Sequence, residues 1–282
     1  MPAEMTPLEF TAIVFASSVA AGLLGSLLGL GGGVVVVIPV LTLWLGVDIR
    51  LAIAASAVAV VATSCAGAGE HLRTGLANLR LATFLELGAA GGALTGAFLT
   101  GLIATQWLFV LFGIVLALSG AALLRQSRNG ASPPVEVAPE EPILGLVGAY
   151  VGEEGREVHY QVRRPQLGLG LIYIAGLFGG MLGVGAGVLK VPALDLAMRV
   201  PWRASTATST LMIGVTGAAS AGVFLARGSI APIVAAPVAL GVVLGAQIGS
   251  RLLRRLPSMA TRVLFLGVVL WMSVQMIRRG FA

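Results

Sequence analysis

Charge is scarce in this chain. Only 11% of its 282 residues are Asp, Glu, Lys or Arg, against about 25% in a soluble domain. Cysteine is nearly missing. Cys65 alone excludes a disulfide framework and a thiolate metal site, and its place in an apolar run predicts an inert, packed thiol. The two histidines, His71 and His159, form no His-Glu-x-x-His zinc motif, and no Gly-x-x-x-x-Gly-Lys-Ser/Thr phosphate loop is present to recruit ATP. The leader Met1–Glu9 carries two acids and no base, where a cleavable signal wants a positive start. The first apolar run is therefore expected to stay in the mature protein. What the chain has in plenty is apolar: 57% hydrophobic residues, 39 glycines and a mean hydropathy of +0.97. Small residues let membrane helices approach closely. The net charge of +6 would suit a nucleic acid if it were gathered on one face. The basic residues are instead scattered between apolar runs, as the positive-inside rule expects. The expected partner is a lipid bilayer and not nucleic acid.

One glycine pattern occurs twice. Gly22-Leu-Leu-Gly-Ser-Leu-Leu-Gly-Leu-Gly-Gly-Gly33 and Gly176-Leu-Phe-Gly-Gly-Met-Leu-Gly-Val-Gly-Ala-Gly187 share their spacing, and each is followed by a proline, Pro39 or Pro192. Glycine clusters break helices. Broken backbone at membrane depth is tolerated only where protein or a water-filled cavity covers it. Two such breaks at matching positions of two halves point to a transporter's binding site.

Apolar runs of spanning or near-spanning length cover roughly 8–30, 34–47, 51–69, 81–103 and 107–124, then 167–186, 188–199, 204–226, 230–250 and 259–277. Segments 34–47 and 188–199 are short for a span, which predicts half-helices or tilted pieces. The fold expected is an all-α polytopic membrane protein with two repeats, each holding a glycine-broken helix pair. About eight full spans and two short helices result. Residues 8–124 form the first repeat and 167–277 the second. Between them, 125–165 holds six of the twelve acids and five arginines. It reads as a polar cytoplasmic linker with a short strand or two, or simply as a connector.

Beyond the glycines the two halves stay in register at an offset of 153. Arg50 matches Arg203, Ser56 matches Ser209, Thr63 matches Thr216, and Gly88, Gly92 and Gly96 match Gly241, Gly245 and Gly249. Those ladders at spacing four give flat helix faces suited to tight packing, within the chain or in a homodimer. Five passes per half make the halves inverted. Four passes make them parallel, but put Arg199, Arg203 and the 251–255 cluster outside, which fits the positive-inside rule worse.

On these residues the chain resembles the TauE/SafE family of sulfite and organosulfonate exporters. The glycine runs lead to Pro39-Val-Leu41 and Pro192-Ala-Leu194. A Thr-Ser-like element follows as Ala55-Ser56 and Thr208-Ser209, and a basic loop reads His71-Leu-Arg-Thr-Gly75. Ala55 and Ala186 depart from the pattern, so the first half offers fewer hydroxyls. The resemblance implies a multi-pass protein of the bacterial inner membrane that exports sulfite, sulfoacetate or a related organosulfonate.

The chemistry fits a small oxyanion, whose hydration shell must be replaced by donors. Gly31, Gly32, Gly33, Gly185, Ala186 and Gly187 would expose backbone N–H groups as an anion nest, with a half-helix N-terminus behind each run. Packing alone is the competing explanation, strongest for Gly22 and Gly25. Ser56, Thr208 and Ser209 are candidate hydroxyl donors, while Thr206, Thr210 and Thr216 are expected to bond back to their own helices. Lys190 lies in an apolar segment, where a charge is costly and usually functional. It would attract the anion, snorkel to an interface or pair with Asp195. Glu70 and Glu86 are expected at interfaces; Glu86 in the cavity would open the way to proton coupling. An anion leaving a negative interior gains about 2.3 kcal/mol per charge per 100 mV, so export needs neither cofactor nor ATP. An importer or channel for another organic anion, a membrane-embedded enzyme and a scaffold are the competing functions. The residues for hydrolysis are lacking, and a scaffold needs no broken helices.

Overall fold

The computed structural model describes residues 6–26, 34–73, 76–129, 146–151, 157–185, 187–253 and 258–281. Helix α1 spans Pro7–Ser26, and α2 is a single short piece, Val34–Pro39, continued by a π-helical turn, Val40–Trp44. Then come α3 (Ile49–Arg73), α4 (Leu79–Thr100) and α5 (Thr105–Asn129). Strands β1 (Val147–Val151) and β2 (Glu157–Gln161) pair antiparallel, with Ala149 opposite His159. The second helical set is α6 (Pro165–Leu182), α7 (Gly187–Pro192) with its π-helical turn Ala193–Ala197, α8 (Trp202–Ala226), α9 (Pro232–Leu253) and α10 (Ser258–Phe281). Among the described residues six helices are long and apolar enough to cross a membrane, and α5 adds a shorter apolar stretch, Thr105–Ala121. Large apolar side chains such as Trp44, Leu87, Leu102 and Leu225 stand exposed on the outside, as they do where hydrocarbon is the solvent. Cys65, expected inside the packing, is also exposed.

The short helices change character at their prolines. Proline lacks an N–H and crowds the carbonyl four residues back, and here the helix loosens to π geometry directly after Pro39 and Pro192. Thr42 donates to the Ile38 carbonyl at 2.8 Å, bonding back across the proline. Both pieces end alike. Val47 N–H reaches Leu41 O at 3.0 Å and Val200 N–H reaches Leu194 O at 3.1 Å, with Gly46 and Arg199 left-handed at φ 63 and 55.

Glycine decides which long helices touch. A Cβ added at Gly92 or Gly96 would collide with the Tyr173 or Leu177 carbonyl, which seats α4 on α6; one at Gly241 or Gly245 would collide with the Phe15 or Val19 carbonyl, which seats α9 on α1. These contacts run parallel, because later residues of one helix meet later residues of its neighbour. The pairs α3–α8 and α5–α10 run the other way. On α3, Val60 meets Gly217 while Ser64 meets Gly214, and on α5, Gly113 meets Ile277 while Gly120 meets Leu266. Ser64 Oγ also donates to Thr210 O at 2.8 Å, and Ser273 Oγ to Gly113 O at 2.7 Å. The ladders that could have served a dimer face are therefore spent inside the chain.

Overpacking a tight contact costs about 1–3 kcal/mol. Gly92→Ala is expected to lower the detergent-solubilised Tm. Gly222→Ala, where a Cβ meets nothing within 4 Å, is expected to hold or raise it through helix propensity. A thermal scan of the two variants checks this, and equal behaviour would mean that the glycine contacts do not set the packing.

Candidate functional site

Helix α6 ends at Gly183, left-handed at φ 65, with its N–H on Gly179 O. Gly185 is left-handed too, at φ 68, a backbone that L side chains rarely adopt. The chain then re-enters helix at Gly187. Across this break stands α8. A Cβ on Gly187 would lie 3.8 Å from Ser209 Oγ. Ser209 is 1% exposed, and its hydroxyl has no partner among the described residues.

Three residues past Gly187, on the same face of α7, Lys190 is fully buried. Its ammonium donates to Met212 O at 3.3 Å and to Thr216 Oγ1 in a short contact. Ser209, Met212 and Thr216 fall at i, i+3 and i+7 of α8 and so share one face. Polar atoms therefore line α8 for about 10 Å of helix, from the glycine break to Thr216. The Thr216 hydroxyl lies within reach of two acceptors, Met212 O at 2.7 Å and Glu86 Oε1 at 3.1 Å. Glu86 comes from α4, seven residues past its first, and its Oε2 is buried with no partner among the described residues. A lone lysine at the bilayer centre costs about 2.5–3.5 kcal/mol on insertion scales. The facing carboxylate, joined to Lys190 through Thr216, offsets that cost.

A second polar link fixes the height of Glu86. Asn78 caps α4 by accepting Leu81 N–H at 3.0 Å, and its own N–H donates to Thr208 Oγ1 at 3.1 Å. The Asn78 amide also reaches the hairpin, at Val147 O and the Tyr160 hydroxyl, both 3.2 Å. Thr208 to Asn78 and Thr216 to Glu86 are eight residues apart on both helices. These two links strap α8 and α4 together in parallel.

Comparison with known proteins meets this geometry. A family model described as "Sulfite exporter TauE/SafE" matches residues 14–276. The chain belongs to the TauE/SafE family. It is also 23% identical over 274 residues to the "Probable membrane transporter protein YunE" of Bacillus subtilis (strain 168), covering 95% of this chain and 97% of that one. No solved structure matches it. The protein is thus a multi-pass membrane transporter of the TauE/SafE family and not an enzyme.

Within this TauE/SafE protein the expected site residues are placed unequally. Gly31, Gly32, Gly33 and Ala186 lie outside the described residues. Gly185, Gly187, Lys190 and Ser209 come together around α8. The two glycines also admit Ile213, whose side chain a Cβ at either would strike. Packing therefore shares in their role. Ser56 reaches a glycine break, but as donor to Gly183 O of the other half, at 2.7 Å. Thr208 points away from the break and accepts from Asn78, so it positions α4. With only six residues before the π turn, α7 aligns few peptide dipoles behind the break, and the Lys190 ammonium is the stronger positive element.

Two expectations are corrected. Glu86 is not interfacial, because α4 starts at Leu79 and carries it two turns inward on the side that meets α8. Lys190 turns to Met212, Thr216 and Glu86 and not to Asp195, because residues five apart on a helix lie on different faces. Thr216 does bond back to its helix as expected, but it also carries the link between the charges.

Lys190 and Glu86 are joined through Thr216 rather than in direct contact. Removing one of two buried charges that balance each other is costly, up to about 3–5 kcal/mol for a direct pair, whereas replacing both is often neutral. Lys190→Met is expected to lower Tm more than the Lys190→Met, Glu86→Gln double variant does. A thermal scan of both in one detergent decides it, and a lower Tm for the double variant would show that the two charges do not support each other.

Proposed function

We propose that this transporter exports a small sulfur-containing anion, such as sulfite, sulfoacetate or a related organosulfonate, through a midplane site at the two glycine breaks. The observation that carries this reading is the buried Lys190 ammonium one turn from Gly187, beside the unpartnered Ser209 hydroxyl. An oxyanion needs a positive charge and spare donors, and both stand on the facing sides of α7 and α8. Export of sulfite is what the family's description names. The first glycine run, Gly31 to Gly33, and Ser56 would complete the site from the other half.

The same reading takes 8–124 and 167–277 as inverted repeats joined by a cytoplasmic linker, 125–165. The antiparallel pairing of α3 with α8 and of α5 with α10 supports it, since each pair joins equivalent helices. Equivalent contacts recur too: Gly22 meets Val242 as Gly176 meets Ala89. With α1 and α3 in one direction and α4 in the other, the end of α3, Arg80, Arg199 and the end of α9 share one side, as the positive-inside rule asks of the basic residues there.

Reconstituted vesicles test the substrate. Vesicles loaded with sulfite, sulfoacetate, methanesulfonate or sulfate are expected to release at least one of them faster than protein-free vesicles. Gly187→Leu, which drives a side chain onto Ser209 and Ile213, is expected to cut that release by about tenfold or more, as loss of about 1.4 kcal/mol would. Release of none of the four from folded protein would remove the sulfur-anion reading.

A further inference from the structure

The two halves place their charges unequally. In the first, Thr63 donates to Ala59 O at 2.9 Å, the same backbone bond that Thr216 makes to Met212 O at 2.7 Å. Yet in this equivalent cluster the position matching Lys190 is a valine of the first half, Val36 or Val37, and the one matching Glu86 is Ala239 of the second. The helix scaffold therefore stands there without either charge, and its needs do not explain why Glu86 of the first half and Lys190 of the second are brought together.

The cluster has room for a second state. The described partners of Lys190 take two of its three N–H donors. Thr216 has one proton and two acceptors in reach, so it can satisfy Glu86 or its own helix, but not both. Glu86 Oε2 is buried and bare. A buried carboxylate oxygen with no donor is costly, and a proton relieves it.

We propose that Glu86 is a proton-binding site coupled to anion binding at Lys190. The proposal rests on the anion reading above and adds the coupling ion. At rest Lys190 and Glu86 balance each other and the cluster carries no net charge. The arriving anion replaces Glu86 as the counter-charge of Lys190, Glu86 Oε2 gains one proton, and Thr216 turns its hydroxyl to Met212 O. The cluster is then Lys190 cation, anion and neutral carboxyl, again with no net charge. Both states avoid an unbalanced ion in low dielectric, which is the costly alternative. One proton moves with each anion, so a monovalent anion crosses without net charge, and its export then runs on the anion's own outward gradient and not on the membrane potential.

The other titratable groups on the elements around Glu86 are few. On α6, Tyr173 lies with its hydroxyl 3.2 Å from Thr95. Between Ala204 and Ala226, α8 brings none. The π turn after α7 brings Asp195, the hairpin Tyr150, Glu157, His159 and Tyr160, and α4 itself Arg80. Lys190 is the charge that faces Glu86.

The test uses the full-length protein in vesicles holding a pH-sensitive dye, with an inward gradient of methanesulfonate, whose single charge stays constant near neutral pH. Methanesulfonate entry is expected to acidify the lumen. In Glu86→Gln the proton-to-anion ratio is expected to fall from one toward zero, and the remaining flux to become sensitive to membrane potential. Should Glu86→Gln fail to fold, infrared difference spectra of the unaltered protein serve instead. Adding methanesulfonate is expected to raise a protonated-carboxyl band. Anion entry without acidification, an unchanged ratio in Glu86→Gln, or no carboxyl band overturns the coupling and leaves the anion reading standing. Entry of no sulfur oxyanion overturns both.

Discussion

Hydrocarbon gives two apolar helices no hydrophobic reason to touch, so their association depends on how closely their backbones can come. In this transporter that approach is supplied by glycine. Gly88, Gly92 and Gly96 let α4 lie directly on α6, and Gly241 and Gly245 let α9 lie on α1. Much else depends on these contacts. Seating α4 on α6 brings Glu86 against α8 and within reach of Thr216, while the break at the end of α6 turns Lys190 toward the same point. A side chain at Gly92 would push the two helices apart and separate the charges, although Gly92 touches neither.

The polar interior follows a related logic. Each buried hydroxyl whose partner is described either returns to its own helix or joins two elements. Ser56 ties α3 to the α6 break, Ser64 ties α3 to α8, Ser273 ties α10 to α5, and Thr208 ties α8 to the start of α4. Among the described residues, Ser209 and Glu86 Oε2 are left without partners beside Gly187 and Lys190. In lipid an unsatisfied group costs several kcal/mol, and in the proposed cycle a substrate supplies what the protein withholds.

The amount that could be read from sequence differed by kind of feature. Membrane class, the short helices near Pro39 and Pro192 and a strand or two in the linker were all legible, because hydropathy, proline and polar composition act locally. Six helices, not eight, meet the spanning criterion among the described residues. The site was only partly legible. Lys190 stood out as a lone charge in an apolar segment, and Ser209 by its match to Ser56. Glu86 was misplaced because its position within a run says how deep it lies only once the start of α4 at Leu79 is known. Thr208 and Ser209 were indistinguishable in sequence, yet they differ by one helical step, and that step sends one to Asn78 and the other to the glycine break.

The sequence by itself determined that this chain lives in a membrane, that one glycine pattern occurs at 22–33 and again at 176–187, and that a proline follows each. These follow from composition, from residue spacing and from the conformational freedom of glycine, none of which needs a neighbour. Only the tertiary structure decided that α3 faces α8 in opposite directions, that Ser56 serves the other half's break, and that Thr216 joins Lys190 to Glu86 across 104 positions of chain. Pairings between distant segments are set by which surfaces can approach and which charges must be balanced, and those conditions exist only once the helices are packed.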